Sequence, residues 1–169
     1  GGGDVPMGAG EHELGAVAGG DDLKANRVAG IGLARQSTIA EVGEHHDGVA
    51  LWNTKADHYN VVRNTPAKRD LLAPFFTELR KRNLKVGTYF SLIDWSRNDY
   101  DQFKKDSSRY KPKDQPARWE SFRKFFQSQI QEISTLYNPD LFWFDGDWEH
   151  NANEWESVKV RNNILAHNP

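Results

Sequence analysis

The sequence predicts an α/β fold in which parallel strands alternate with helices. From about residue 45 onward, apolar runs of strand length alternate with longer amphipathic stretches, which is the order of parallel βα units. Clusters of polar residues follow the apolar runs, at the positions where such folds place their chemistry. With 169 residues, the chain is long enough for a domain with a sizeable core.

The first helix and strand of this pattern follow Asp70. Asp70 is a suitable capping residue for a helix, and Asn83 can adopt the left-handed conformation that ends one. The apolar residues between them recur at helical spacing: Leu71, Leu72, Phe75, Phe76 and Leu79. The apolar run at 85–92 then predicts a buried strand.

A second helix and strand are expected farther along the chain. Residues 94–117 are predicted to form a long polar loop, followed by a helix over 118–137 that Asn138-Pro139 ends. The apolar run at 141–144 predicts a second strand, and residues 155–166 predict a third helix. The buried side of the second helix is expected to consist of Trp119, Phe122, Phe125, Phe126, Ile130, Ile133 and Leu136.

Residues 1–44 differ in composition from the rest of the chain. They contain eleven of the fourteen glycines and none of the twenty Phe, Trp and Tyr residues. A segment such as 1–22 buries too little apolar surface to offset the entropy of ordering, so we expect it to be disordered. It also lacks the basic and continuous apolar regions of a signal peptide. We therefore divide the chain into a largely irregular Gly/Ala-rich leader, 1–44, and a folded domain, 45–169.

The overall composition argues against several classes of function. The 22 basic and 24 acidic residues give a formal charge of −2, so nucleic-acid and membrane partners are not expected. No apolar run approaches the roughly 20 residues needed to cross a bilayer. The absence of Cys excludes disulfide scaffolds and Cys-based zinc sites or nucleophiles. No Walker, Rossmann or Gly-x-Ser-x-Gly pattern supports nucleotide binding or serine hydrolysis.

The acidic cluster at 145–149 follows the second predicted strand directly. It places three carboxylates within five residues, and strand alternation puts Trp143 and Asp145 on one face. A carboxylate beside an aromatic platform suits a glycosidase, in which the ring packs on a sugar and the acid acts at the anomeric carbon. A solvated acidic turn at the end of a strand explains the same spacing equally well.

The pair His45-His46 allows several interpretations. Consecutive side chains of an extended backbone point in opposite directions, so two adjacent His residues seldom bind one metal ion together. Where the chain turns, both rings could donate hydrogen bonds to sugar hydroxyls. One partly buried ring and one solvated ring is the more ordinary arrangement. A metal site remains open, because Asp47, Asp94 or Asp145 could complete a His/Asp set.

Two aromatic residues near the first strand are similarly ambiguous. Tyr89, inside the strand, is by default a core residue, although its hydroxyl could reach a ligand at the strand end. Asp94-Trp95 is either a loop anchor or a second platform for a sugar.

Five motifs together resemble the α-L-fucosidases of glycoside hydrolase family 29. The resemblance implies a (β/α)₈-like catalytic domain and retaining hydrolysis of α-linked L-fucose. It covers about 125 residues from His45 onward, whereas a whole barrel takes about 250. We therefore expect an incomplete (β/α)₈ barrel with parallel strands. The motifs are HHDGVALW (45–52), YNVV (59–62), KRDL (68–71), YFSLIDW (89–95) and LFWFDGDWE (141–149).

The resemblance also implies roles for individual residues. Asp145 matches the catalytic nucleophile of the family. His45 and His46 match an adjacent His pair that binds fucose hydroxyls, and Trp143 matches a ring that packs on the sugar. Tyr89 matches a tyrosine that lines the pocket in the family. An alignment shifted by one residue would assign this position to Phe90 instead and is the less favoured match.

The same resemblance sets expectations for ligands and location. No metal or organic cofactor is expected, and the expected partner is a fucosylated oligosaccharide or glycoconjugate. An extracellular or periplasmic location is expected from the family, although no signal peptide is visible.

Departures from the family pattern are equally specific. The opening Phe/His-Trp-Gly-type motif has no counterpart in 1–44, and the polar run at 37–44 replaces a hydrophobic strand. A frameshifted or mis-started reading frame would explain both. The family's acid/base is a Glu well downstream of the nucleophile, whereas Glu149, Glu154 and Glu156 follow it immediately. We therefore expect little fucosidase activity from this chain. A non-catalytic sugar-binding remnant and a His/Asp metal-dependent hydrolase are the alternatives.

Overall fold

The computed structural model describes residues 46–56, 59–104 and 107–167, together with the backbone of two short strands before them. A 3₁₀ turn, Asp147–Glu149, follows the last strand. The strands are β1 (Val17–Ala18), β2 (Ile39–Ala40), β3 (Gly87–Ser91), β4 (Gln102–Lys104), β5 (Ser107–Ser108) and β6 (Leu141–Asp145). The helices are α1 (Val61–Asn64), α2 (Leu72–Lys81), α3 (Pro116–Tyr137), α4 (Ala152–Trp155) and α5 (Ser157–His167).

Four strands form the main sheet, in the order β1-β6-β3-β2. β3 pairs in parallel with both β2 and β6, which confirms the predicted α/β class with parallel strands. β1 pairs with β6 in the antiparallel direction, which the prediction did not include. β2 consists of Ile39 and Ala40, two apolar residues of the run 37–44, which was expected to lack the family's strand.

The two faces of the β3–β6 pair differ in character. Phe90, Phe142 and Phe144 lie on one face, are buried, and belong to the hydrophobic core. The rings of Phe90 and Phe144 meet edge to face, with centroids 6.1 Å apart. The opposite face carries Tyr89 beside Trp143, which are paired in register. Burial therefore confirms the predicted alternation and leaves this second face open enough to hold a site.

The predicted ends of the helix after Asp70 are confirmed. Asp70 Oδ1 accepts hydrogen bonds from the backbone N–H groups of Leu72 and Ala73, at 2.8 and 3.1 Å. Asn83 lies in the left-handed region with a φ of 56°. Phe75, expected on the apolar side of this helix, is instead exposed.

Helix α3 supplies most of the aromatic core. It starts at Pro116, two residues before the predicted start, because proline is favoured in the first turn of a helix. Six of its seven predicted apolar residues are buried, but Leu136 is 61% exposed. Tyr137 is buried in its place, and its hydroxyl donates to Asp70 Oδ2 at 2.5 Å. This bond ties the end of α3 to the beginning of α2.

Two further predictions of the elements were incomplete. The loop predicted for 94–117 contains the small antiparallel pair of β4 and β5. The helix predicted for 155–166 is present as α5, but a separate short helix, α4, precedes it, because Glu156 adopts a left-handed conformation with a φ of 54° that divides the two. In the described part of the chain, no helix combines the length and apolar character needed to cross a membrane.

Candidate active site

The C-terminal ends of β3 and β6 bring the predicted site residues together. Ser91 and Asp145 are paired in register at the last positions of the two strands. The N–H of Leu92 donates to the backbone carbonyl of Asp145 at 2.9 Å, which continues the pairing beyond Ser91. The side chain of Asp145 is thereby held at the sheet edge, where α/β folds place catalytic residues.

Among the described residues, the side chains of Tyr89 and His46 converge on the carboxylate of Asp145. The Tyr89 hydroxyl donates a hydrogen bond to Oδ2. His46 Nε2 lies 3.6 Å from the same oxygen. The structure thus joins three of the predicted site residues, although Tyr89 and His46 are 43 positions apart in the chain. His45 lies outside the described residues.

Trp143 is on the same face of the sheet as Asp145. Its side chain is 47% exposed, even though it lies in the middle of a strand. Its register partner is Tyr89, so the indole lies beside the tyrosine that bonds the carboxylate. An exposed indole next to an acidic group provides an apolar platform for a ligand.

His46 is held in place from three directions. Its Nδ1 lies 2.6 Å from Ser91 Oγ, and its ring is 5.0 Å from the ring of Trp95, centroid to centroid. Its backbone carbonyl accepts a hydrogen bond from the N–H of Trp95 at 2.9 Å. Trp95 packs against the core as well, which favours the anchor interpretation of Asp94-Trp95 over a second sugar platform.

Ser91 is the first residue of a polar cluster, 91–95, at the end of the first predicted strand, but no role was predicted for it. It is 2% exposed and lies two residues after Tyr89, on the same face of β3. A small polar residue at the last position of a buried strand was the signal for it. Its partner His46 could not be identified from spacing.

Glycines allow the backbone to pass closely on both sides of the site. Gly146 follows Asp145 with a φ of 83°, and a Cβ there would lie 2.2 Å from Ile93 Cγ1. Gly48, with a φ of 77°, would place a Cβ 2.1 Å from Ser96 Oγ and 2.8 Å from Asp94 Oδ1. Both positions combine positive φ with close packing, so only glycine fits without strain.

A hydrogen-bonded network connects the loop after β3 with the turn after β6. The hydroxyl of Tyr100, which is fully buried, donates to Glu149. Burial, reinforced by this carboxylate, raises the pKa of the Tyr100 hydroxyl well above its usual range, so it remains a donor. His150 Nε2 lies 3.0 Å from Asp101 Oδ1, with both side chains buried. These contacts hold the turn that follows the candidate nucleophile.

An open groove of about 970 Å³ borders the site. Its lining includes Asp47 and Ser96, which directly follow His46 and Trp95 in the chain. The groove therefore lies beside the residues that surround Asp145, and Asp145 itself is not part of its lining. Within the ranges that the structure describes, no group of three or more His, Asp or Glu residues is arranged to hold a metal ion.

Comparison with known families gives this arrangement a context. The sequence model of the α-L-fucosidase family matches residues 39–169, which is well over half of the chain. The chain belongs to the α-L-fucosidase family. The match begins six residues before the boundary at 45 predicted from composition and motifs, and the division at that boundary stays a prediction.

Individual relatives agree with the family assignment. The α-L-fucosidase of Dictyostelium discoideum is 29% identical over 122 residues, which cover 72% of this chain and 25% of that protein. A crystal structure of a GH29 α-L-fucosidase from Bacteroides thetaiotaomicron is 32% identical, with a TM-score of 0.64 over 76% of this chain and 28% of that one. Another crystal structure, of a GH29 α-L-fucosidase from the same organism, shows a covalent intermediate trapped with 2-fluoro-fucosyl fluoride. That enzyme is 31% identical in sequence to this chain, and the two structures match with a TM-score of 0.63. The chain spans about a quarter of the length of these relatives.

Proposed function

We propose that this chain is part of a retaining α-L-fucosidase and supplies the nucleophile side of its active site. The observation that carries the proposal is the convergence of Tyr89 and His46 on the carboxylate of Asp145, at the C-terminal edge of parallel strands. In this proposal β2, β3 and β6 are neighbouring strands of an incomplete (β/α)₈ barrel. Their open face, with Trp143, is the side that would face the interior of the barrel.

Asp145 is the nucleophile of the proposed reaction. One of its carboxylate oxygens forms a bond to the anomeric carbon of fucose while the glycosidic bond breaks, and a general acid protonates the departing oxygen. Water then attacks the same carbon and gives a proton to the former general acid, which now acts as a base, while the bond to Asp145 breaks and fucose leaves with its original configuration. The hydrogen bond from Tyr89 orients the carboxylate for both steps. A trapped covalent intermediate in a GH29 relative supports a two-step course.

Sugar recognition involves the other members of the cluster. The exposed indole of Trp143 packs against an apolar face of the sugar ring. His46 Nε2, 3.6 Å from Asp145 Oδ2, contacts a sugar hydroxyl beside the nucleophile. His45 joins them through the family resemblance alone. The substrate class in this proposal is a glycan or glycoconjugate that ends in α-linked L-fucose.

The carboxylates nearest to Asp145 in sequence have structural partners. Glu149 accepts the hydroxyl of Tyr100. Glu154 closes a capping box with Asn151 at the start of α4. Neither is free to approach a leaving group while it holds these contacts.

Glu156 is also a poor candidate for the general acid. Hydrogen bonds from Gln127 and Lys159 lower the pKa of its carboxyl, whereas a general acid needs a raised pKa. We therefore assign the acid/base role to none of these three Glu residues. For this reason the isolated chain is expected to bind L-fucose but to hydrolyse fucosides poorly.

The proposal is tested by combining a binding assay with an activity assay. Calorimetric titration of the chain with L-fucose is expected to show binding that Trp143→Ala weakens. Trp148→Ala is the matched control, because Trp148 is also exposed but lies on the 3₁₀ turn after β6. Hydrolysis of an aryl α-L-fucoside is expected to be negligible for the chain and for Asp145→Asn.

The possible results separate the alternatives. Turnover that Asp145→Asn abolishes would support the nucleophile and contradict the expected inactivity. Turnover that survives in Asp145→Asn would contradict the assignment of the nucleophile. Absence of both binding and turnover in a folded chain would overturn the proposed site.

A further inference from the structure

The hydroxyl of Ser91 lies at the centre of three short polar contacts. Its Oγ is 2.6 Å from His46 Nδ1, 2.7 Å from the backbone carbonyl oxygen of Ile93 and 3.1 Å from the N–H nitrogen of Ile93. Ser91 is 2% exposed, so water does not compete for these contacts. All of the hydrogen-bonding capacity of this hydroxyl is therefore used within the protein.

Counting hydrogens decides which group donates in each contact. A serine hydroxyl has one hydrogen and two lone pairs. The carbonyl of Ile93 can only accept, so the hydroxyl donates its one hydrogen there. The N–H of Ile93 can only donate, so it occupies one lone pair. The remaining lone pair faces His46 Nδ1, which must then carry a hydrogen.

The reverse assignment is unfavourable. If the Ser91 hydroxyl donated to His46 Nδ1, its oxygen and the carbonyl oxygen of Ile93 would face each other at 2.7 Å with no hydrogen between them. A buried carbonyl would also lose its hydrogen bond from Ser91, at a cost typical of an unsatisfied polar group.

We infer that Ser91 fixes the neutral His46 ring as the Nδ1–H tautomer and is a positioning residue for this histidine. The other nitrogen, Nε2, then has a lone pair, and its distance of 3.6 Å from Asp145 Oδ2 is longer than a hydrogen bond, so that contact requires no hydrogen on Nε2. Trp95, with its ring 5.0 Å away, holds the imidazole in this orientation.

This tautomer has a consequence for recognition, and that consequence rests on the proposed function. A neutral His46 would accept a hydrogen bond from a fucose hydroxyl at Nε2 and would not donate one. A fucose hydroxyl that contacts Nε2 would thus be recognised as a donor. A ligand with an ether oxygen or fluorine at that position would lose this hydrogen bond.

The tautomer is measurable without activity. Long-range ¹H–¹⁵N correlation spectra of the ¹⁵N-labelled chain report which ring nitrogen carries the hydrogen. They are recorded above the midpoint of the His46 titration, and the signals are assigned by their loss in His46→Gln. We expect Nδ1 to show the shift of a protonated nitrogen and Nε2 that of an unprotonated one. In Ser91→Ala, the two shifts are expected to move toward the Nε2–H tautomer.

Two further variants separate positioning from general structural effects. Ser134→Ala removes another buried hydroxyl, which donates to a carbonyl in α3 at 2.9 Å, and should leave the His46 shifts unchanged. Ser91→Thr retains the hydroxyl and should preserve the wild-type pattern. An Nε2–H tautomer in the wild type would overturn the inference even if Ser91→Ala failed to fold. An unchanged pattern in folded Ser91→Ala would overturn it as well.

Fucose titration distinguishes this inference from the proposed function. Ser91→Ala is expected to weaken L-fucose binding about tenfold, the scale of one ordinary hydrogen bond. If the wild type shows the Nδ1–H tautomer but does not bind fucose, the proposed function fails and the positioning role of Ser91 stands. If fucose binds but the tautomer is Nε2–H, the positioning role fails alone.

Discussion

Replacing Gly146 by alanine tests how the backbone holds Asp145. Gly146 has a φ of 83°, in the left-handed region. A Cβ at this position would lie 2.2 Å from Cγ1 and 2.4 Å from Cδ1 of Ile93. Favourable contacts between carbon atoms are at about 3.5–4.0 Å. Alanine therefore meets a conformational penalty and a separate steric one.

The expected loss of stability follows from these two penalties. A left-handed backbone costs a residue with a Cβ about 1–2 kcal/mol. An extra methyl group in a packed interior costs about 1–3 kcal/mol. Ile93 is 2% exposed and belongs to the hydrophobic core, so the new methyl group would enter packed interior. We therefore expect Gly146→Ala to lower the free energy of unfolding by about 2–5 kcal/mol.

Urea unfolding of four chains measures the two penalties separately. The chains are the wild type, Gly146→Ala, Ile93→Ala and the double variant. Ile93→Ala removes the side-chain atoms that the new methyl group would meet. The double variant should therefore lose about 1–3 kcal/mol less free energy of unfolding than the sum of the losses in the two single variants. Asn83→Ala, at a φ of 56°, is a control for the conformational penalty. A loss below about 0.5 kcal/mol for Gly146→Ala, or strict additivity, would refute the reasoning.

Three further predictions concern the core, the titration of tyrosines and metal ions. Ile133→Ala should lower the free energy of unfolding by about 2–5 kcal/mol because Ile133 is fully buried. Leu136→Ala should change the free energy of unfolding by less than about 0.5 kcal/mol because Leu136 is exposed. Equal effects of the two variants in urea unfolding would contradict the burial pattern. Burial raises the pKa values of Tyr100, Tyr110 and Tyr137, that of Tyr110 to about 12. The unfolded chain therefore loses protons first, and stability should fall as pH rises above about 10. Ionisation of these three hydroxyls in the folded chain at that pH would contradict this. EDTA should leave the melting temperature unchanged, and a decrease would favour the metal-dependent alternative.

Local and periodic features of this protein were predictable from its sequence. The strand 141–144 was predicted from its alternation, and its buried and open faces follow from the two-residue period of a strand. Asp70 and Asn83 act as helix ends because capping depends on side chains within a few residues. The family was recognised from several short motifs whose order along the chain is itself sequence information.

Contacts between distant segments were decided only by the tertiary structure. Ser91 lies 45 positions from His46, and nothing in either local sequence identifies the other as its partner. Leu136 has the apolar character of a core residue, but the packing of α3 against α2 buries Tyr137 instead, because its hydroxyl reaches Asp70. Burial and hydrogen bonding depend on which surfaces meet, and periodicity within one segment does not contain that information. The sequence by itself therefore determined the longer helices, the central strands and the family, whereas the tertiary structure decided which side chains surround Asp145.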